Sequence, residues 1–430
     1  GCRKKGASGP LFPEGGREVR FLSYTKRVLP CGARVVFRRM DSPLVAVNLW
    51  VRAGVKDEEP EKNGISHFFE HMVFKGTVHF PGLLLSRRVQ ALGGTLNAGT
   101  SLDTTDFYLV VPREFWKEAL ALEMELVTQP LFDPEDIERE KMVVIQEIHL
   151  DEDDPEERLA RLLYERVFSN TPYGLPILGR EETVRLFTRE DLLRHRERFY
   201  HPANMVLAVS GDLQEGELFA FSEELFGSFP APRELDTPLF PPLPSPERQI
   251  VECVMDVRRF YGAIGFLCGG IKSDDCYLLR LLSLVMGDGL GSRLNVALRE
   301  ERQIVDTIHT TYSYYEHAGI FAIFFTFSQG SLEEIEEAIR GEFTRLTYFV
   351  PTDEELKRAK NLLKSGFFSA TETTLGSAEL LGRLDTIDSI DRSLRALFEI
   401  ERVKPQDLVE VARRYVDFER GTSILIKPGE

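Results

Sequence analysis

A chain of 430 residues exceeds the size at which one hydrophobic core keeps growing, so two domains of roughly 200 residues each are expected. Its composition, 43% hydrophobic and 28% charged, is that of a globular protein folding in water, and no run of about 18 apolar residues is present to form a transmembrane helix. A formal charge of -16 disfavours nucleic acid and anionic membranes as partners and suits cationic ones.

Residues 1–18 are rich in Gly, Pro, Lys and Arg without periodicity and read as a lead-in lacking regular structure. Their opening Gly-Cys-Arg-Lys-Lys leaves lipid anchoring at Cys2 open, as the remnant of an export signal, beside an ordinary chain end. The first domain is expected over 19–228. Alternation predicts strands over 34–39, 45–52 and 105–111, and 3.6-residue periodicity predicts helices over 68–74, 114–128 and 134–149.

Seven prolines between Phe229 and Pro246 stiffen the chain and oppose regular structure, so 229–248 reads as an interdomain linker. The second domain, 249–430, repeats the order of the first: strands over 250–255 and 262–268, then helices over 275–286, 331–348 and 353–368. The expected fold class is α+β, two homologous α/β domains, each a mostly antiparallel sheet flanked by helices. Five scattered cysteines (Cys2, Cys31, Cys253, Cys268, Cys276) without Cys-x-x-Cys spacing argue against a disulfide framework or a thiolate zinc site. The last three read as buried small hydrophobes.

The chemistry-bearing pattern is His67-Phe68-Phe69-Glu70-His71, which sets two imidazoles four residues apart on one helical face with a carboxylate adjacent. A catalytic Zn²⁺ takes three protein ligands and keeps one position for water, so a third donor is needed, and Glu147 is the candidate. Glu70 is then placed to take a proton from water acidified by the metal. Glu140, two helical turns before Glu147, shares its face and suits an imidazole N–H of a ligand. Phe68, Phe69, Met72, Val73 and Phe74 make this helix too apolar for a solvated surface, and histidines buried with it require partners. In the second domain Arg280, Ser283 and Leu284 lie over His67, Glu70 and His71, and Ala359 and Gly366 over Glu140 and Glu147, so that copy carries no ligands.

These stretches, with Gly64 to Thr77, Gly93 to Ala98, Glu138 to Glu147, Pro172 to Pro176 and Tyr200 to Met205 leading to Gly211-Asp212, resemble the pitrilysin and insulysin family of inverted-motif zinc peptidases, in the branch of mitochondrial processing peptidase and small bacterial homologues. The resemblance implies one Zn²⁺ per chain held by His67, His71 and Glu147, with Glu70 as base, and a chain forming one half of a clam-shell dimer. It implies that Gly94, Thr95, Leu96, Asn97 and Ala98 form an edge strand on which a peptide substrate is laid as a further β-strand; an ordinary hairpin is the plainer reading. Active members supply an arginine and, seven residues later, a tyrosine from the second domain to bind substrate and stabilise the oxyanion. Ser292 to Arg299 matches, but Asp306 stands where the tyrosine is expected. This implies a zinc-bearing subunit whose homologous partner carries the Arg-Tyr pair. A homodimer remains open if Tyr312, Tyr314 or Tyr315 substitutes.

Two other readings compete. One is a non-catalytic scaffold or processing-partner subunit of the same family, disfavoured by retention of all three ligands and the base. The other is a zinc-binding protein that holds peptides uncut, disfavoured because a structural site has no use for Glu70. A bacterial cytoplasm or periplasm is the expected compartment.

Overall fold

The structure, a computed structural model, describes residues 22–227, 229, 240–245 and 247–429, with the backbone of short strands at 12–14 and 17–19. In chain order the strands are β1 (Phe12–Glu14), β2 (Arg17–Val19), β3 (Thr25–Val28), β4 (Arg34–Arg39), β5 (Leu44–Val51), β6 (Thr95–Thr100), β7 (Thr105–Pro112), β8 (Met205–Gly211), β9 (Gln249–Met255), β10 (Phe260–Cys268), β11 (Thr307–Tyr314), β12 (Gly319–Phe327) and β13 (Thr422–Pro428). The helices used below are α1 (Ile65–Val73), α2 (Leu84–Ala91), α3 (Trp116–Thr128), α4 (Pro134–Asp153), α5 (Pro155–Val167), α6 (Glu181–Arg185), α7 (Arg189–Phe199), α8 (Glu215–Phe226), α9 (Cys276–Met286), α10 (Leu332–Tyr348), α11 (Asp353–Ala370) and α12 (Thr374–Ile387).

The first sheet runs β3-β4-β8-β5-β7-β6 and the second β11-β12-β10-β13-β9. Apart from β3 the two orders coincide: β4-β8-β5-β7-β6 answers β9-β13-β10-β12-β11, and the one parallel pair, β4 with β8 or β9 with β13, falls at the same place. The duplication read from the sequence is therefore present as repeated topology.

Strand β5 shows why each sheet takes helices on both faces. Val45, Val47, Leu49 and Val51 join the main core with Phe68, Phe69, Met72 and Val73 of α1. Ala46 joins Ala208 and Ala378 on the other face, under α12. A strand buried on both sides reads as a near-continuous apolar run, as β5 does apart from the buried Asn48.

The helices on those second faces change the domain division. The packed units are not the two consecutive stretches 19–228 and 249–430. One comprises Gly1–Ile148, Pro176–Leu239 and Phe368–Arg395, and the other His149–Leu175, Phe240–Phe367 and Ala396–Glu430. Helix α12, late in the chain, covers β5 and β8, while α5, early in the chain, covers β10 and β13. Periodicity finds a helix and its apolar face but not the sheet that face will meet. Most of the Pro-rich stretch expected as a linker lies outside the described residues, as does most of 1–18. Within the latter, β1 and β2 pair antiparallel where no regular structure was expected, and Gly15-Gly16 between them is a hairpin signal passed over in the composition. Cys268 and Cys276 are buried, whereas Cys253, on the sheet-edge strand β9, is half-buried, because an edge strand lacks a neighbour on one side.

Close approach of α12 depends on Gly382, where a Cβ would stand 2.2 Å from Trp50 Cδ1 and 3.1 Å from Ala208 Cβ. Gly341, on α10, has nothing within 4 Å of the same position. The two glycines should therefore respond oppositely to one substitution. Gly382→Ala is expected to destabilise by about 1–3 kcal/mol through overpacking. Gly341→Ala should stabilise by about 0.5–1 kcal/mol through helix propensity. Thermal unfolding of the two variants beside the parent checks both signs.

Candidate metal centre

Nine residues of α1 bury Phe68, Phe69, Met72 and Val73 completely. Phe68 packs on Phe187 at 5.3 Å between ring centroids, and Phe69 on Tyr200 at 4.3 Å and His195 at 5.3 Å. With that face locked, His67, Glu70 and His71 have one direction left to them, towards α4.

There the two imidazoles meet Glu147. Its Oε2 lies 3.8 Å from His67 Nε2 and 3.5 Å from His71 Nε2, and one donor atom from each of the three residues falls within 4.8 Å of the others. Two donors about 2.1 Å from one tetrahedral ion are roughly 3.4 Å apart, so the three atoms stand close to the spacing of a zinc ligand set. Among the described residues this is the one such group.

Charge balance around it also fits a cation. Glu140 Oε1 lies 2.8 Å from His71 Nδ1, and its Oε2 lies 2.5 Å from Lys75 Nζ. Burial opposes ionisation of Glu140, but the hydrogen bonds from His71 and Lys75 outweigh it and hold the carboxyl below its ordinary range. Burial, with repulsion from His71, pushes His67 down to about 3, leaving it the neutral imidazole that a metal requires. For His71 burial works against protonation, yet the Glu140 hydrogen bond and the charges of Glu70, Glu140 and Glu147 raise it overall. Glu70 is raised by burial, with Glu147 adding and the Thr100 hydrogen bond and His71 opposing.

Thr100 donates to Glu70 Oε2 at 2.7 Å. Sequence reasoning missed this residue, because it depends on where β6 sits beside α1. It also missed Lys75, although that residue is part of the motif quoted for the resemblance.

The remaining expected residues are placed as follows. Thr95, Leu96, Asn97 and Ala98 lie in β6, the last strand of its sheet, and Gly94 just precedes it, its N–H donating to Val89 O. Arg299 is exposed on a π-helical segment, Asn295–Glu301, of the second unit. Asp306 stands just before β11, accepting from Ser328 Oγ at 2.8 Å, with Arg259 at 3.8 Å. Tyr312 donates to Gly269 O at 2.6 Å and Tyr315 to Tyr164 Oη at 2.9 Å, so both hydroxyls are engaged inside their own unit. In the second copy Ala359 on α11, matched to Glu140, is fully buried, and Ser283 on α9, matched to Glu70, donates to Arg280 O, so both are packing positions there.

The sequence model of Insulinase (Peptidase family M16) matches residues 34–181, and that of the Peptidase M16 inactive domain matches 186–363. An uncharacterized zinc protease of Bacillus subtilis is 30% identical over 369 residues, 84% of this chain and 88% of its own length. The chain belongs to peptidase family M16. A probable mitochondrial-processing peptidase subunit beta of Arabidopsis thaliana is 27% identical over 90% of this chain and 75% of its own. Among solved structures, a protease from Helicobacter pylori superposes with a TM-score of 0.89 at 21% identity, covering 95% of this chain and all of that one, which shows the shared two-sheet fold. Every residue of the His67, His71 and Glu147 group lies within the first M16 match and none within the inactive-domain match. No helix among the described residues is long and apolar enough to cross a membrane.

Beside the site, Asp106 pairs with Gly99 of β6 across the strands. Burial, with the charges of Glu379 and Glu70 adding and Asn48 opposing, pushes its carboxyl from 3.8 up to about 7. In that window the folded chain keeps a proton that the unfolded chain has released, so Asp106 contributes stability below the window and loses it as pH rises through about 7. Asp106→Asn should remove this contribution to the pH dependence. Metal-free thermal unfolding followed from about pH 5 to 8 should show the parent losing on the order of 2 kcal/mol more than the variant.

Proposed function

We propose that this chain is the zinc-bearing, catalytic subunit of a metalloendopeptidase, with His67, His71 and Glu147 as zinc ligands and Glu70 as general base. The observation that carries this reading is the convergence of both Nε2 atoms on Glu147 Oε2 with Glu70 one helical turn away. It is supported by the zinc-protease names of the relatives.

Zinc bound there supplies Lewis-acid polarisation of a peptide carbonyl and acidifies water. The protein does the rest. Glu140 fixes the His71 ring through Nδ1 and directs Nε2 at the site. Thr100 holds one oxygen of Glu70, and burial raises the Glu70 carboxyl towards the range in which it can take a proton from water and return it to the leaving amine. The end strand β6, from Thr95 to Thr100, offers unpaired backbone groups to an extended peptide, so an unfolded segment or presequence is the substrate form that fits.

Arg299 with Asp306 in place of tyrosine supports an active site completed by a homologous partner with the Arg-Tyr pair. The name "subunit beta" of the Arabidopsis relative accords with a heterodimer. A homodimer is the second reading, and the engaged hydroxyls of Tyr312 and Tyr315 weigh against two of its three candidate tyrosines, Tyr314 being the third. A non-catalytic scaffold would have no need of the ligands or of Glu70.

Metal analysis should find one zinc per chain. Glu70→Gln should keep the metal and lower peptide turnover about 10²- to 10⁴-fold. Glu147→Gln should lose the metal, and Glu140→Ala should weaken its binding about 10- to 100-fold. Full turnover by Glu70→Gln would remove the base from its role. Purification from the native source should yield a complex with a second homologous chain that is more active than this chain alone; a fully active homodimer would overturn the partner assignment.

A further inference from the structure

The metal-bearing helix starts without a cap of its own. Its N-cap residue is Gly64, at φ 92°, which has no side chain to accept from the first-turn N–H groups. A carboxylate six residues upstream accepts instead: Glu58 Oε2 takes Gly64 N–H at 2.8 Å and Asn63 Nδ2 at 2.9 Å, and Oε1 takes Ser66 N–H at 2.8 Å. Glu58 is 8% exposed.

The segment carrying Glu58 is tied in turn to the hairpin that holds the base. Val55 N–H donates to Ser101 O at 3.3 Å and Lys56 N–H to Leu102 O at 2.9 Å, in the turn between β6 and β7. A Cβ on Gly54 would fall 2.6 Å from Ser101 O and Thr104 N, so the two backbones touch. Thr100, which holds Glu70, immediately precedes that turn.

We infer that Glu58 is a positioning residue of the metal site, bracing the first turn of α1 against the β6–β7 hairpin so that His67 reaches Glu147 and Glu70 reaches Thr100. The inference rests on the metallopeptidase reading and deepens it. Its force comes from placement. His67 is the third residue of α1, inside the turn that Glu58 caps, whereas His71 stands near the far end. Imidazoles four residues apart face one ion only while the turn between them is helical. Losing the cap frays the end that carries His67 and leaves His71 alone.

The isosteric change Glu58→Gln separates positioning from filling space. It keeps volume and shape but points an amide N–H₂ at groups that are all donors. Hydrogen exchange of the zinc-free chain reads the helix, and competition with a chromophoric chelator reads zinc affinity. The expected result is faster exchange confined to 64–73 and zinc binding weakened about tenfold or more, which is 1.4 kcal/mol. Parent-like exchange in α1, or parent-like zinc affinity, overturns the inference. A parent chain that takes up no zinc sinks the metallopeptidase reading itself, an outcome seen before any variant is made. Should Glu58→Gln not fold, Glu58→Asp, with the carboxyl one methylene short, is expected to shift both readouts in the same direction by less, and no shift overturns the inference equally.

Discussion

Burial of one face of a nine-residue helix is the constraint on which the rest of this molecule depends. A helix as short as α1 does not hold its shape alone in water, and its conformation comes from Phe68, Phe69, Met72 and Val73, each with no exposed surface, in a helix packed against β6, β7, α7 and the aromatic side chains of Phe187 and Tyr200. Those four residues settle how the helix is rotated. Once they are buried, the 3.6-residue repeat leaves His67, Glu70 and His71 on the side facing α4, and their convergence with Glu147 follows from core packing rather than from the imidazoles themselves.

The opposite face carries the electrostatic cost of that arrangement. Glu70, Glu140 and Glu147 crowd two histidines, with burial at Glu70 and Glu140 penalising each charge. Lys75 on Glu140 and the Thr100 hydroxyl on Glu70 offset part of it. What remains is a cluster of carboxylate oxygens and imidazole nitrogens close to one another, an environment that a divalent cation would stabilise.

Duplication explains why half of the chain has this chemistry and half does not. Both copies build the same strand order, and both cover the second sheet face with a helix contributed from the other half of the chain, α12 in one unit and α5 in the other. The fold asks only for small and apolar residues at these contacts, so the second copy keeps the architecture without the histidines and glutamates of the first. Ala359 and Ser283 are now packing residues where the first copy has charge.

The amino-acid order alone determined most of the elements, the doubling of the module and the set of residues able to hold a metal. Periodicity and the i, i+4 spacing are local properties that survive without knowledge of the fold. The family was equally legible, because His67 to His71, Glu140 and Glu147 stand at spacings that chance seldom assembles. Partners brought together by the folded path of the chain were not legible. Thr100 meets Glu70 only through the placement of β6, Glu58 meets Gly64 and Ser66 only through a loop that doubles back, and α5 and α12 find their sheets only once both cores exist. Each of these depends on side chains or faces that many partners could satisfy equally well by type, and only the close packing of the folded chain selects one.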